Sequence, residues 1–180
     1  GHVEAGLRTR NKYQPFPEEI NRRVTDSLAS LYFAPTDEAR SHLVAERLDP
    51  KAIFVTGNTV IDALLETARK NVTSHSKELN EVLKKIGKNP LILITAHRRE
   101  NFGDPFQSVL SAVRSLSVEF PSHHWVYPVH PNPNVIEPVE RHLNGIPNLH
   151  LIEPLSYAPF VSLMKRAHLI LTDSGGIQEE

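Results

Sequence analysis

A chain of 180 residues, 39% hydrophobic and 23% charged with a formal net charge of -1, has enough apolar material for one or two globular cores and no basic excess with which to neutralise nucleic acid. It contains no cysteine, which excludes disulfides, thiolate metal sites and a cysteine nucleophile and fits a reducing compartment. No apolar run reaches the roughly 18 residues of a bilayer span and no charged-then-apolar leader opens the chain, so a soluble protein is expected.

The chain starts at Gly1 and stops at Glu180, just after a strand-turn-helix signal. It therefore reads as a segment of a longer protein. His2 to Thr9 is rich in small and polar residues and carries Glu4 between His2 and Gly6. Pro17-Glu18-Glu19 puts a proline and two acids in the first turn of a helix, where the dipole favours them. Glu18 has two readings: a helix N-terminal acid, or one of two carboxylates, with Glu4, that divide acid and base work. Arg22 and Arg23 on the same helix are expected to be solvated or ion-paired.

Leu31-Tyr32-Phe33 has strand length, Thr36-Asp37-Glu38 caps a helix running toward Arg47, and Ala52 to Val55 is a second strand. Thr56-Gly57-Asn58 then leads into a helix with Val60, Ile61, Ala63, Leu64 and Leu65. A domain junction is expected near Gly57, with a polar stretch from Asn71 to Asn80 before the next helix.

Strands follow at Leu91 to Ile94, Trp125 to Tyr127, Leu149 to Ile152 and His168 to Leu171. Helical spacing lies between them, at Val109, Ala112, Val113 and Leu116 and at Phe160, Val161, Leu163 and Met164. Strands apolar on both faces, alternating with amphipathic helices, define an α/β class with a parallel sheet covered on both sides.

Two runs sit where strands of such a sheet deliver ligand-binding residues. His97-Arg98-Arg99-Glu100-Asn101 reads either as a solvated charged loop or as a site for phosphate charge. Thr172-Asp173-Ser174-Gly175-Gly176 reads either as a bare strand-to-helix turn or as a turn whose glycines and free amides admit a diphosphate, with Glu180 further on to accept from a ribose diol. The ten histidines show no metal-ligand spacing. His123 and His124 are expected on one strand facing opposite ways, and no metal is expected. A serine-hydrolase elbow, a P-loop and a dinucleotide fingerprint are all lacking.

Taken together, His2-Val3-Glu4-Ala5-Gly6-Leu7-Arg8-Thr9, Pro17-Glu18-Glu19-Ile20-Asn21-Arg22, Thr56 to Ala63, His97 to Asn101, Pro128-Val129-His130-Pro131-Asn132-Pro133 and Asp173 to Glu180 resemble, in order, the signatures of the non-hydrolysing UDP-N-acetylglucosamine 2-epimerases. The resemblance covers essentially the whole chain. It implies two Rossmann-like domains of glycosyltransferase-B type with the active site in the cleft between them. Residues 1–56 would end the first domain and residues 57–180 would begin the second, UDP-binding one, each domain incomplete in this segment.

In that family UDP is eliminated to give 2-acetamidoglucal and then re-added, with C2 protonated on the other face. The resemblance implies Glu4, Glu18 and His97 as catalytic residues. It implies Arg98, Phe160, Ser174, Gly175, Gly176 and Glu180 as substrate-binding residues, with Phe160 on the uracil side. Arg98 and His130 resemble positions that contact a second, regulatory UDP-N-acetylglucosamine. A cytoplasmic homodimer is implied, with UDP-N-acetylglucosamine and UDP as ligands, no cofactor, and no nucleic-acid or membrane partner. The family's N-terminal phosphate loop and a further catalytic aspartate have no counterpart in this segment, so the segment alone is expected to be inactive. Leu155 stands where some members carry a polar residue near the base. A hydrolysing 2-epimerase, a glycosyltransferase of the same fold and a non-catalytic UDP-sugar-binding module are the competing readings.

Overall fold

Each of the six apolar runs becomes a strand in the structure, a computed structural model that describes residues 1–70 and 76–180. The chain divides into two units, Gly1–Ala63 and Leu64–Glu180.

The first unit holds a parallel sheet in the order β1 (His2–Val3), β2 (Tyr32–Ala34), β3 (Ile53–Val55). Helix α1 (Glu18–Leu28) connects β1 to β2, and α2 (Asp37–Ala45) connects β2 to β3. Thr36 caps α2 as the sequence anticipates, its hydroxyl accepting from the Ala39 amide at 3.1 Å. Ala5, Tyr32, Ala34, Ala39, Leu43 and Ile53 form the core. Gly6 makes close packing possible there: its φ is +88°, and a Cβ would stand 2.2 Å from the Ala39 carbonyl oxygen.

The second unit is a four-stranded parallel sheet in the order β6-β5-β4-β7, with β4 at Leu91–Thr95, β5 at His124–Pro128, β6 at Leu149–Ile152 and β7 at Leu169–Thr172. Alternation along the strands divides the apolar residues between two cores. Ile92, Ile94, Trp125 and Tyr127 face α5 (Asp104–Glu119) and α6 (Pro133–Leu143), packing with Phe106, Leu110, Val113, Val135, Val139 and Leu143. Leu91, Leu93 and Val126 face the other way, against Leu79, Val82 and Ile86 of α4 (Lys77–Ile86) and Leu163 of α7 (Tyr157–Arg166). Asn148 fastens the turn after α5, its amide donating to the carbonyls of Ser117 at 2.9 Å and His123 at 2.8 Å.

Several expectations shift. The buried stripe of α5 is Phe106, Leu110, Val113 and Ser117, while Val109 and Leu116 face solvent. The helical spacing is as expected, and Phe106, one turn before Val109, sets the inward face. Helix α4 begins at Lys77, its Leu79 amide held by the Ser76 hydroxyl, so the polar stretch ends before Asn80; Asn71 to His75 lie outside the described residues. His123 precedes β5 and only His124 lies on it, its ring stacked on that of His150 in β6 at 5.4 Å. The last strand starts at Leu169, and β1 had no counterpart in the reading of the sequence.

Strand order places the candidate site. The chain runs outward from β4 to β5 to β6, then returns through α7 to lay β7 on the opposite side of β4. The direction of winding reverses at the β4–β7 pair, and in open α/β sheets ligands bind beyond the carboxyl ends of strands at such a reversal.

Candidate active site

Both singled-out runs of the second unit come off this β4–β7 pair. Thr95 at the end of β4 donates its hydroxyl to Thr172 at the end of β7 at 2.7 Å, and the Ser174 amide donates to the same Thr172 oxygen at 2.9 Å. One carboxylate oxygen of Asp173 then accepts from the amides of His97 at 3.0 Å and Arg98 at 2.8 Å and from the Asn101 side chain at 3.2 Å. The His97 ring, exposed, lies parallel to that of His130, with centroids 5.3 Å apart. The His130 Nδ1 accepts from the Asn132 amide at 3.2 Å, which leaves its proton on Nε2 when the ring is neutral.

The short helix α8 (Gly175–Glu179) follows, its Ile177 amide facing the Ser174 hydroxyl at 3.5 Å. Arg98 lies over this turn, its guanidinium 3.6 Å from where a Cβ on Gly175 would stand. A Cβ on Gly176 would meet only the Ser174 hydroxyl, at 3.8 Å. Neither glycine has a positive φ, so the protein's own packing requires glycine at neither position, and both stand open. Glu180 follows α8, its amide donating to the Gly176 carbonyl at 3.1 Å as in a helix, and burial pushes its carboxyl above the usual range. Phe160, on α7, is half-buried against the core shared with α4, as is Leu155. Tyr127, buried in β5, donates to the Ala96 carbonyl and steadies the start of the loop; burial, then the Asp173 charge, raises its phenol.

In the first unit, Glu4 and Glu18 are both exposed. Glu4 sits just past β1 at φ +59°, a left-handed conformation that costs a non-glycine residue free energy and is stored where surroundings enforce it. Helix α1 buries two acids, Glu19 and Asp26. Asp26, 3% exposed, accepts from His2 at 2.6 Å and from Arg8. Arg8 also reaches Glu46 at 2.7 and 2.8 Å, and these bonds outweigh burial to keep its guanidinium charged. Glu19, fully buried, accepts from the amides of Thr9 at 3.1 Å and Arg10 at 3.3 Å and from Arg23 at 3.1 Å. The two acids of the first turn of α1 thus separate: Glu18 faces solvent and Glu19 anchors the preceding loop. Arg23 is ion-paired, as one of the two expectations for it had it.

Asp26 and Glu19 were not singled out in the sequence, although a signal existed. They are seven residues apart, two helical turns, and so share one face of α1. Burial pushes the Glu19 carboxyl up, but the bonds from Thr9, Arg23 and Arg10 outweigh it and hold it below the ordinary value of about 4.3. A group with a depressed folded pKa adds stability above its unfolded pKa and loses it as pH falls through the folded one. The first unit should therefore lose stability as pH falls below about 4.3, and Glu19→Gln should flatten that loss. Urea midpoints at pH 6 and pH 3 check this; an equal fall in both proteins would contradict it.

The fold is an open parallel α/β sheet with basic side chains and a glycine turn at its winding reversal. Among the described residues no group of three or more His, Asp or Glu is placed to hold a metal ion, and no helix is long and apolar enough to cross a membrane. The family model for UDP-N-acetylglucosamine 2-epimerase matches residues 1–180. The UDP-N-acetylglucosamine 2-epimerase of Bacillus subtilis is 49% identical over 180 residues, covering 100% of this chain and 46% of the relative. That of Escherichia coli is 49% identical over 184 residues, covering 100% of this chain and 49% of the relative. A crystal structure of UDP-GlcNAc 2-epimerase from Neisseria meningitidis bound to UDP-GlcNAc superposes with a TM-score of 0.90 at 44% identity, covering 100% of this chain and 49% of that one. The chain belongs to the UDP-N-acetylglucosamine 2-epimerase family. Its α/β fold is that of the glycosyltransferase-B-type enzymes among these neighbours, and it spans about half the length of the curated relatives it matches.

Proposed function

We propose that a protein of the relatives' full length carrying this chain interconverts UDP-N-acetylglucosamine and UDP-N-acetylmannosamine. A base removes the C2 proton as the C1–O bond to UDP breaks, giving 2-acetamidoglucal. UDP then adds back at C1 while an acid protonates C2 on the opposite face. Glu4 and Glu18 divide the proton work, and His97 stabilises the charge that grows on the departing phosphate.

On this reading Ser174, Gly175 and Gly176 hold the diphosphate, Glu180 the ribose and Phe160 the uracil side. Arg98 serves the substrate phosphates and, with His130, a second UDP-N-acetylglucosamine that regulates turnover. Residues 1–56 belong to the first domain and 57–180 to the UDP-binding one, and the whole protein acts as a cytoplasmic homodimer. The 180 residues alone are expected to show no turnover.

The observation that supports this reading most is the convergence of His97, Arg98 and the Ser174–Gly176 turn at the β4–β7 reversal. Glycines that no internal contact requires suit a ligand's close approach. The experiment incubates the full-length protein with UDP-N-acetylglucosamine and follows products by NMR. UDP-N-acetylmannosamine at equilibrium with substrate is expected. Free N-acetylmannosamine with stoichiometric UDP would instead identify a hydrolysing enzyme, and binding with no product a UDP-sugar-binding module.

A further inference from the structure

Asp173 is the charged group of the β4–β7 junction to which the proposed chemistry gives no task. It follows β7 directly, and its own amide donates to the Thr95 carbonyl at 3.2 Å. Its Oδ2 collects three N–H groups, from His97, Arg98 and Asn101. Its Oδ1 is buried with no hydrogen-bond partner. A buried oxygen left unpaired costs free energy, so the three bonds on its twin must offset that cost.

Consecutive backbone amides such as those of His97 and Arg98 form a concavity that suits an anion. In this chain the anion is internal, so those two amides are unavailable to an external phosphate. What remains for a diphosphate is the His97 ring, the Arg98 guanidinium and the glycine turn. An acid at this point also repels a polyanionic ligand, so ligand affinity alone would favour its absence.

We infer that Asp173 is a positioning residue: its carboxylate fixes the backbone of His97 and Arg98, and so aims both side chains at a diphosphate held by the Ser174–Gly176 turn. This rests on the functional reading above. Replacement by asparagine keeps the shape but removes the charge and one acceptor oxygen. Charge alone predicts that Asp173→Asn binds UDP as tightly or more tightly. Positioning predicts that UDP still binds but no longer meets a correctly placed His97.

The test titrates UDP into the full-length protein and follows the His97 ring by NMR, with affinity from calorimetry. In the parent the ring signals should move on saturation. In Asp173→Asn the UDP dissociation constant should stay within about threefold, roughly 0.65 kcal/mol, while the ring response is lost. Asn101→Ala, which removes one donor and leaves the carboxylate, should bind UDP as the parent does with a weakened response, and it serves if Asp173→Asn does not fold. In the full-length enzyme, Asp173→Asn should lower kcat roughly tenfold in the parent background and no more than about twofold beside His97→Asn, because the two act through one group. A ring response unchanged in both variants, or equal kcat losses in both backgrounds, would overturn the inference alone. A full-length parent that binds no UDP would overturn the functional reading and this inference with it.

Discussion

Asp26→Ala should destabilise the first unit by about 3 to 5 kcal/mol, the scale on which removing one partner of a buried ion pair strands the other. Arg8 has a side chain only 1% exposed and would keep Glu46 alone as a charged partner, while His2 would lose its acceptor. The partner Glu46, whose side chain is 37% exposed, gives the contrast. Glu46→Ala should cost no more than about 1 kcal/mol, because water can replace an exposed carboxylate. Hydrogen exchange of the β2 amides under increasing urea reads this unit directly. Similar losses in the two variants would show that burial is not what makes Asp26 matter. The network holds His2 and Arg8, which flank Glu4 in the sequence.

The largest expected effect on turnover comes from the two exposed glutamates. The C2 hydrogen of an N-acetylhexosamine does not leave unaided, so a positioned base must take it and an acid on the other face must return one. In the full-length enzyme, Glu4→Gln and Glu18→Gln should each lower kcat by roughly a hundredfold or more while leaving UDP affinity within about threefold. Glutamine keeps the size and most hydrogen bonding of glutamate but cannot exchange a proton. Neither side chain belongs to the buried networks of this unit, so stability should hardly change. Near-normal kcat in both variants would remove these residues from the mechanism.

The strands were legible because each is a short run apolar on both faces, which a sheet covered by helices on both sides demands. Leu91 to Ile94 shows it best: alternate residues enter different cores, and no other arrangement would bury all four. The two-residue β1 could not be read, since His2 and Val3 carry no periodicity and owe their strand to pairing with Tyr32 and Phe33. The spacing of Val109, Ala112, Val113 and Leu116 gives the helix α5 but not its inner face, because packing against the sheet turns Phe106, Leu110 and Val113 inward.

Among site residues, those of the His97 and Ser174 runs were legible from their place after strands. The burial of Glu19 and Asp26 and the bonds that Asp173 accepts were not, for a common reason. An acid on a helix or in a turn is ordinarily solvated, and its pairing depends on donors distant in sequence: Thr9 and Arg10 for Glu19, His2 and Arg8 for Asp26, and His97 with Arg98 for Asp173. Sequence order cannot bring these together; the parallel topology does.

If Glu4 and Glu18 exchange the C2 proton of a UDP-linked N-acetylhexosamine, incubating the full-length enzyme with UDP-N-acetylglucosamine in deuterated water and following C2 by proton NMR shows it directly. Because the returning proton comes from a carboxyl that exchanges with solvent, the UDP-N-acetylmannosamine formed should carry deuterium at C2, and both glutamine variants should slow its appearance together with turnover. Epimerised product that keeps its original hydrogen at C2 would contradict the account.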